Sequence, residues 1–438
     1  RPLRYQHLPL LLVCTLMSRV SRKWKAVTSL AIGFLMALCA GVVYSVAVWG
    51  DDLARNAGWS EDSLETCKSL LDLGLYVSVD MGVLIDVYGR GGQEWPAALL
   101  SALFLGLGWF LLASLSVMSE SGLSWIGQLA FLLIGHGLFV AVVAPLRANS
   151  SNFGSNWKGT VDGFILGGFG VSSAIFSHIY DLYEDRITPF LLMLGCLAIA
   201  VSGLSACFTK RMPLPGEETL LDEGHDSDQV SPWALPQHSA FWRLWFLIFF
   251  SGGANIFFVQ SAKKLSSLAG GMPASEIVTW FCLSTLVGRF GGGWVGDIIH
   301  CHFHSRFGQR RCGRILLGVP SGLLMSLAAA LVVSASSVSR WRVTLAAVAT
   351  GLSEGLIFAC WPGTTRDRFG DANFGTNLSV VNTALGVGAA IYLKAFNFEP
   401  TLYIITVLGF VSSLLSLSVF FCPVLTMPLR SSNAISIH

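Results

Sequence analysis

Charge is what this chain has least of: 12% of its 438 residues are Asp, Glu, Lys or Arg, against 53% hydrophobic ones. That scarcity excludes a water-soluble globule, whose surface needs more polar cover than this, and it leaves lipid as the solvent for most of the chain. A net charge of +2 gives no field for nucleic acid or for a bulk acidic partner, so the position of each charge matters more than the sum. The ten cysteines stand singly, with no C-x-x-C and no even external set, so neither a disulfide frame nor a metal site is indicated. A nucleophile elbow, a phosphate-cradling loop and a zinc-binding His pair on a helix are also missing, so no enzyme chemistry and no cofactor are expected. The Gly-x-Gly fragments lie in apolar runs without the strand that a dinucleotide site requires.

What is present is a series of apolar runs of about 20 residues. Six spans are expected at 26–49, 63–85, 96–117, 123–146, 159–180 and 187–208, and six more at 241–260, 275–299, 314–336, 341–362, 376–395 and 400–422. The acidic, proline-bearing segment between the sets suits an exposed linker. The expected organisation is a flexible lead 1–24, a six-helix bundle 25–208, a cytoplasmic linker 209–240, a second bundle 241–424 and a tail 425–438. The early run LPLLLVCTLM is too short to span.

The two sets echo each other. At an offset of about 216, Gly159-Thr160 meets Gly375-Thr376, Gly170 meets Gly386, and Ala174-Ile175 meets Ala390-Ile391. A second echo, Gly82-x-x-x-Asp86 and Gly293-x-x-x-Asp297, lies about 211 residues apart. The fold class read from this is an all-α membrane protein of twelve transmembrane helices in two pseudo-symmetric six-helix bundles, with its working site between them. Basic residues such as Lys23, Lys25, Arg147, Lys158, Lys210, Arg243, Arg314 and Arg366 collect on one side, and acidic clusters at Asp51-Asp52 and Glu61-Asp62 on the other. Both termini are therefore expected in the cytoplasm, with the sequons at Asn149 and Asn377 unglycosylated there; the membrane is the plasma membrane or that of an organelle.

GVLIDVYGR, closing the second span, resembles the loop 2–3 signature of the major facilitator superfamily, and GRFGGGWVGD, closing the eighth, resembles its counterpart. NFGSNWKGTVDGFILGGFGVSSAIFSHIY, FWRLWFLIFFSGGANIFF and GLIFACWPGTTRDRFGDANFGTNLSVVNTALGVGAAIY are similar to the nodulin-like branch of that superfamily. The resemblance implies the major facilitator fold and transport of a small-molecule solute across a lipid bilayer by a monomer. The eighth span is also similar to that of monocarboxylate and oxalate carriers, with an arginine eight positions before the polar residue of the signature. In the monocarboxylate group an aspartate lies one turn before that arginine; here the residue is Thr285.

In the signature a glycine lets two helices approach, and an aspartate at a helix end can meet an arginine or a neighbouring helix N-terminus. Gly82, Asp86, Gly89, Arg90, Gly293 and Asp297 are assigned to such a gating latch, with a turn or packing role as the alternative. Gly163, Gly167, Gly170 and Gly386 are read as helix-packing positions. Arg289, eight residues before Asp297, lies roughly 12 Å inward from that end, near mid-depth. It is a candidate for gripping a solute carboxylate, or else is satisfied by carbonyls or by a carboxylate on another span. Glu354, central in the tenth span, is a candidate for coupling protons to transport, with pairing to Arg289 as the alternative, and Asp72 is a second coupling candidate. Lys68 and Asp72, one turn apart, are expected to neutralise each other. Asp80 has no local cation, and Asp162, in the first turn of its span, suits the helix dipole. Tyr44, Asn255, Gln260 and Asn382 are candidate substrate-binding groups lining a cavity. His300, His302 and His304 lie among arginines that oppose a metal ion.

Two functions fit. One is a secondary carrier moving a small organic solute, a monocarboxylate or other organic anion among them, by alternating access; the other is a carrier-shaped receptor that binds solute and signals without transport.

Overall fold

A computed structural model describes residues 21–90, 92, 94–118, 121–184, 186–212, 229–307, 313–333, 338–394 and 398–421. Most of the lead 1–24, residues 213–228 of the linker, the tail 425–438 and the side chains of Arg90 and His304 lie outside the described residues.

Among those residues there is no strand, and helices supply twelve spans. The first half comprises Arg22–Ala57, a second span in two pieces (Glu61–Tyr76 and Val79–Arg90), Trp95–Met118, Ser124–Asn149, Lys158–Asp181 and Ile187–Phe208. The second comprises Ser239–Gln260, Ala274–Phe307, Gly313–Val332, Arg340–Phe369, Phe374–Lys394 and Phe398–Phe421. At a rise of 1.5 Å per residue even the shortest unbroken span crosses a hydrocarbon core of about 30 Å. Ten are apolar enough to do so on composition alone. The second is interrupted, and the eighth is diluted by Arg289 and a run of glycines.

The expected spans are all present, with ends that differ where helix outlasts lipid. The first runs on past residue 49 to Ala57 and the tenth past 362 to Phe369, so that Asp51, Asp52, Arg366 and Asp367 ride on helix. Each stops at a glycine in the left-handed region, Gly58 (φ 69°) and Gly370 (φ 86°), a conformation that ends a helix cheaply only at glycine. Two interruptions matter for the site. The first span tightens to a 3-10 turn over Gly41–Ser45, and the second breaks at Val77 and Ser78. Tyr44 and Tyr76 sit at these interruptions, and both rings turn inward.

The spans pack inside out relative to a soluble bundle. On the twelfth, Tyr403, Val407, Phe410 and Leu414 form one bare face, Leu414 being 66% exposed, as a lipid-facing stripe requires. The apolar window of that span is 39% buried, whereas that of the fifth is 78% buried, which places the fifth at the centre. Two pairs of spans make the largest contacts across the halves: the fifth lies on the eighth and the second on the eleventh. At both crossings glycine faces backbone. A Cβ on Gly82 would come within 2.6 Å of the Gly375 carbonyl, and one on Gly163 would run into the Arg289 carbonyl. Gly170 packs on Thr285 of the eighth span, Gly167 on Leu286, and Gly386 on Tyr76 of the second. All four expected packing glycines thus lie at contacts between the halves, and the approach is closest at Gly163, which faces backbone.

Candidate functional site: paired latches below a cavity

At the end of the second span, the Asp86 carboxylate reaches the first turn of the eleventh. It accepts hydrogen bonds from the Gly375 N–H (2.8 Å), the Thr376 N–H (2.7 Å) and the Thr376 hydroxyl (2.7 Å). At the end of the eighth span, Asp297 repeats the contact on the fifth, accepting from the Gly159 N–H (2.9 Å), the Thr160 N–H (2.7 Å) and the Thr160 hydroxyl (2.8 Å). Each carboxylate thereby caps a helix of the other half, where unpaired N–H groups and the helix dipole favour an anion. Gly159 and Gly375 make the approach possible, because a Cβ at either would press on the capping carboxylate, 2.7 Å from Asp297 Oδ1 in the first case. Gly293 lies against the Gly159 backbone, and Gly89 leaves room for the Arg147 guanidinium.

Cations close around the carboxylates. Arg314 donates two hydrogen bonds to Asp297 (3.0 and 2.8 Å) and one to Asp367 (2.6 Å). Arg147 lies between Asp86 (3.5 Å) and Glu94 (3.2 Å). Arg366 donates to Asp162 of the other half at 2.7 Å, and Lys158 pairs with Asp371 at 3.4 Å, again across the halves. This last contact ties the start of the fifth span to the start of the eleventh, so both capping contacts lie on one face of the molecule. Burial alone would push the Asp371 carboxyl up, but Lys158, Arg366 and Arg211 outweigh it and hold the group below the usual aspartate range.

The opposite face is open. A cavity of about 530 Å³ enters where the second span begins, lined by Asp51, Glu61 and Glu65 of the first half and Lys263, Lys264 and Phe398 of the second. The ion pair of Lys263 with Asp51 bridges the halves at this mouth. Further in, the walls are Tyr44, Leu71, Asp72, Phe257 and Gln260. Asp72 accepts a hydrogen bond from the Gln260 amide at 2.8 Å, a contact between the second and seventh spans. Behind the cavity, the Tyr44 hydroxyl stands 3.4 Å from that of Tyr76 and 3.4 Å from Glu354 Oε1. Glu354 pairs with Arg289, both fully buried, and Arg289 also donates to the Leu166 carbonyl at 2.6 Å with its guanidinium over the Phe358 ring.

Of the expected substrate groups, Tyr44 and Gln260 line the cavity, together with Asp72. Arg289 and Glu354 lie one residue behind it, joined to it through Tyr44, and of the two readings of the pair the structure has the one in which they face each other. Asn255 is buried against Ser353 (3.4 Å), and Asn382 is buried on the eleventh span; neither lines this cavity. Three expectations are corrected. Lys68 pairs with Glu65 (3.0 Å) and not with Asp72, because the solvent-side carboxylate is the easier for a long side chain to reach. Asp162 does more than suit a dipole, since Arg366 binds it. Asp80 has a cationic partner when His136 is protonated, 3.4 Å away on the fourth span. His300 turns to Asp367 at 3.6 Å.

Arg147, Arg314 and Arg366, which in the sequence mark only the basic side, are at most 5% exposed and belong to the site. No signal in the sequence marks them as a set: Arg147 has no acidic residue within ten positions, Arg314 is 17 residues from Asp297, and nothing in one chain's spacing pairs them.

Two six-helix halves related by a pseudo-twofold, meeting through the fifth and eighth and the second and eleventh spans, are the major facilitator fold. No family model matches the chain. Among curated proteins it is similar to the probable transporter mch1 of Aspergillus fumigatus, 26% identical over 238 residues, which are 50% of this chain and 37% of that protein. The chain thus spans little more than a third of this relative. Among solved structures it is similar to the human organic anion transporter MFSD10 (TETRAN), with a TM-score of 0.62 and 15% identity, over 92% of this chain and 99% of that one. At that identity the likeness speaks for the fold.

Proposed function

We propose that the protein is a secondary carrier that moves a small organic solute by alternating access, the two halves rocking about the cavity. The observation that carries this reading is the pairing of two closed latches on one face with a cavity open to the other. A body built that way has a second state in which the contacts are exchanged. The latch face carries the basic residues and is the cytoplasmic one by the positive-inside rule, so the state described is the outward-open one.

The buried Arg289–Glu354 pair supplies the coupling. A solute carboxylate can bind Arg289 bidentately only after Glu354 gives it up, and Glu354 gives it up on taking a proton. The groups facing Glu354 are Arg289, Thr285 and, further off, Cys282 from the eighth span, Tyr44 from the first and Tyr76 from the second. Tyr44 offers the proton a route from the cavity. This favours proton-coupled movement of a carboxylate, in keeping with the name of the human protein of like fold. Uptake into proteoliposomes of labelled carboxylates, amino acids and neutral solutes, with and without an inward pH gradient, tests it. Accumulation driven by the gradient supports the carrier, and saturable binding without flux returns the receptor reading.

A further inference from the structure

The charges along the cavity are graded in depth. Glu61, Glu65, Lys68 and Asp72 follow one face of the second span, so Asp72 lies roughly 16 Å inward from Glu61 at helical rise. Of the outer charges, Lys68 is held by Glu65 and Lys263 by Asp51, while Lys264 lies over the Phe398 ring at the mouth. Among the described residues no cation pairs with Asp72; its partner is the neutral amide of Gln260, offered from the other half. Arg289, the deep cation, is already matched by Glu354 and stands behind Tyr44. A carboxylate at such depth, half-buried and answered only by an amide, is a position with a missing positive charge.

We infer that the missing charge is the protonated amine of the solute, with Asp72 as its counter-ion; the inference rests on the carrier reading. The Gln260 amide oxygen offers an acceptor to a remaining N–H group, and Tyr44 and Phe257 give the wall an aromatic character that an ammonium favours. The volume suits an organic molecule far better than a bare ion, which would need a full shell of oxygens. Asp72 and Gln260 belong to opposite halves, so an amine held between them lies on the seam and is bound differently in the two states. Combined with Arg289 beyond Tyr44, the arrangement takes a zwitterion, its amine toward the mouth and its carboxylate inward.

The test uses the full chain in proteoliposomes and matched triads on one carbon skeleton: leucine, isoamylamine and 4-methylpentanoate; phenylalanine, phenethylamine and 3-phenylpropionate. An amine-bearing member of a triad is expected to have a KM at least tenfold below that of its amine-free partner. In Asp72→Asn that KM rises tenfold or more relative to the KM of the amine-free partner, and Asp72→Glu recovers most of the loss. Melting temperature in detergent confirms that the variants fold. The inference falls, with the carrier left standing, if the amine-free acid is taken up as well as its amine-bearing partner, or if Asp72→Asn alters both alike, as a proton site would. Flux of no member in either triad counts against carrier and inference together.

Discussion

Arg289 and Glu354 show how much one residue's meaning depends on its neighbour. From spacing alone, Arg289 was legible as a mid-depth cation and Glu354 as a mid-depth carboxylate, but two partners 65 residues apart could be joined only by the fold. Removing one leaves the other buried and unmatched, which costs about 3–5 kcal/mol, while replacing both by apolar side chains of similar volume costs far less. Arg289→Met is therefore expected to lower the unfolding midpoint in detergent sharply and Arg289→Met/Glu354→Leu to recover most of it; equal losses would show that the pair is not coupled. Transport separates from stability at Glu354→Gln. The amide keeps a hydrogen bond to Arg289 but cannot change charge, so uptake of a carboxylate in this variant is expected to lose its dependence on the pH gradient while exchange of solute without a gradient persists.

At the scale of the helix, two echoes read separately in the sequence turn out to be the two sides of one contact. Gly-x-x-x-Asp closes the second and eighth spans, Gly-Thr opens the fifth and eleventh, and the Asp of each half caps the Gly-Thr of the other. The repeat was visible because duplication preserves spacing; the exchange between halves was not, because spacing says nothing of which copy meets which. The broken second span was hidden for a related reason, since an interruption at Val77 and Ser78 leaves the hydropathy of the run intact. The crossing of the fifth and eighth spans tolerates no side chain at Gly293, whose Cβ would strike the Gly159 backbone. Gly293→Val is expected to force these helix ends apart, lengthening by several ångström the distance between spin labels placed on them. Asp371 makes a pH prediction on the same face. Its carboxyl is held below the ordinary value, so its contribution to the closed latch is complete above the ordinary aspartate range and is lost only as the pH falls through the lowered value. Label distances there should hold from neutral pH down to about pH 4 in the native chain. Asp371→Asn should lengthen them at neutral pH.

For the molecule as a whole, the question is whether the two latches are separate locks or two faces of one equilibrium. Asp86 and Asp297 each bind the other half through three charge-assisted hydrogen bonds, and a single such bond is worth about 1.5–3 kcal/mol to the closed state. If the halves move as rigid bodies, both terms enter the same free-energy difference between states, and substitutions at these distant sites add. Asp86→Ala and Asp297→Ala should then each shift the population toward the latch-open state by tenfold or more, and the double variant by the product of the two. The readout is alkylation of a cysteine placed at Leu71 in the cavity wall by a reagent that cannot cross the membrane, applied from each face in turn. Labelling from the cavity mouth should fall as labelling from the latch face rises, and the Lys263–Asp51 bridge at the mouth should become protected in step. A double variant no more open than either single one would mean that one latch already controls the equilibrium, and that the symmetry of the contacts is not a symmetry of the energies.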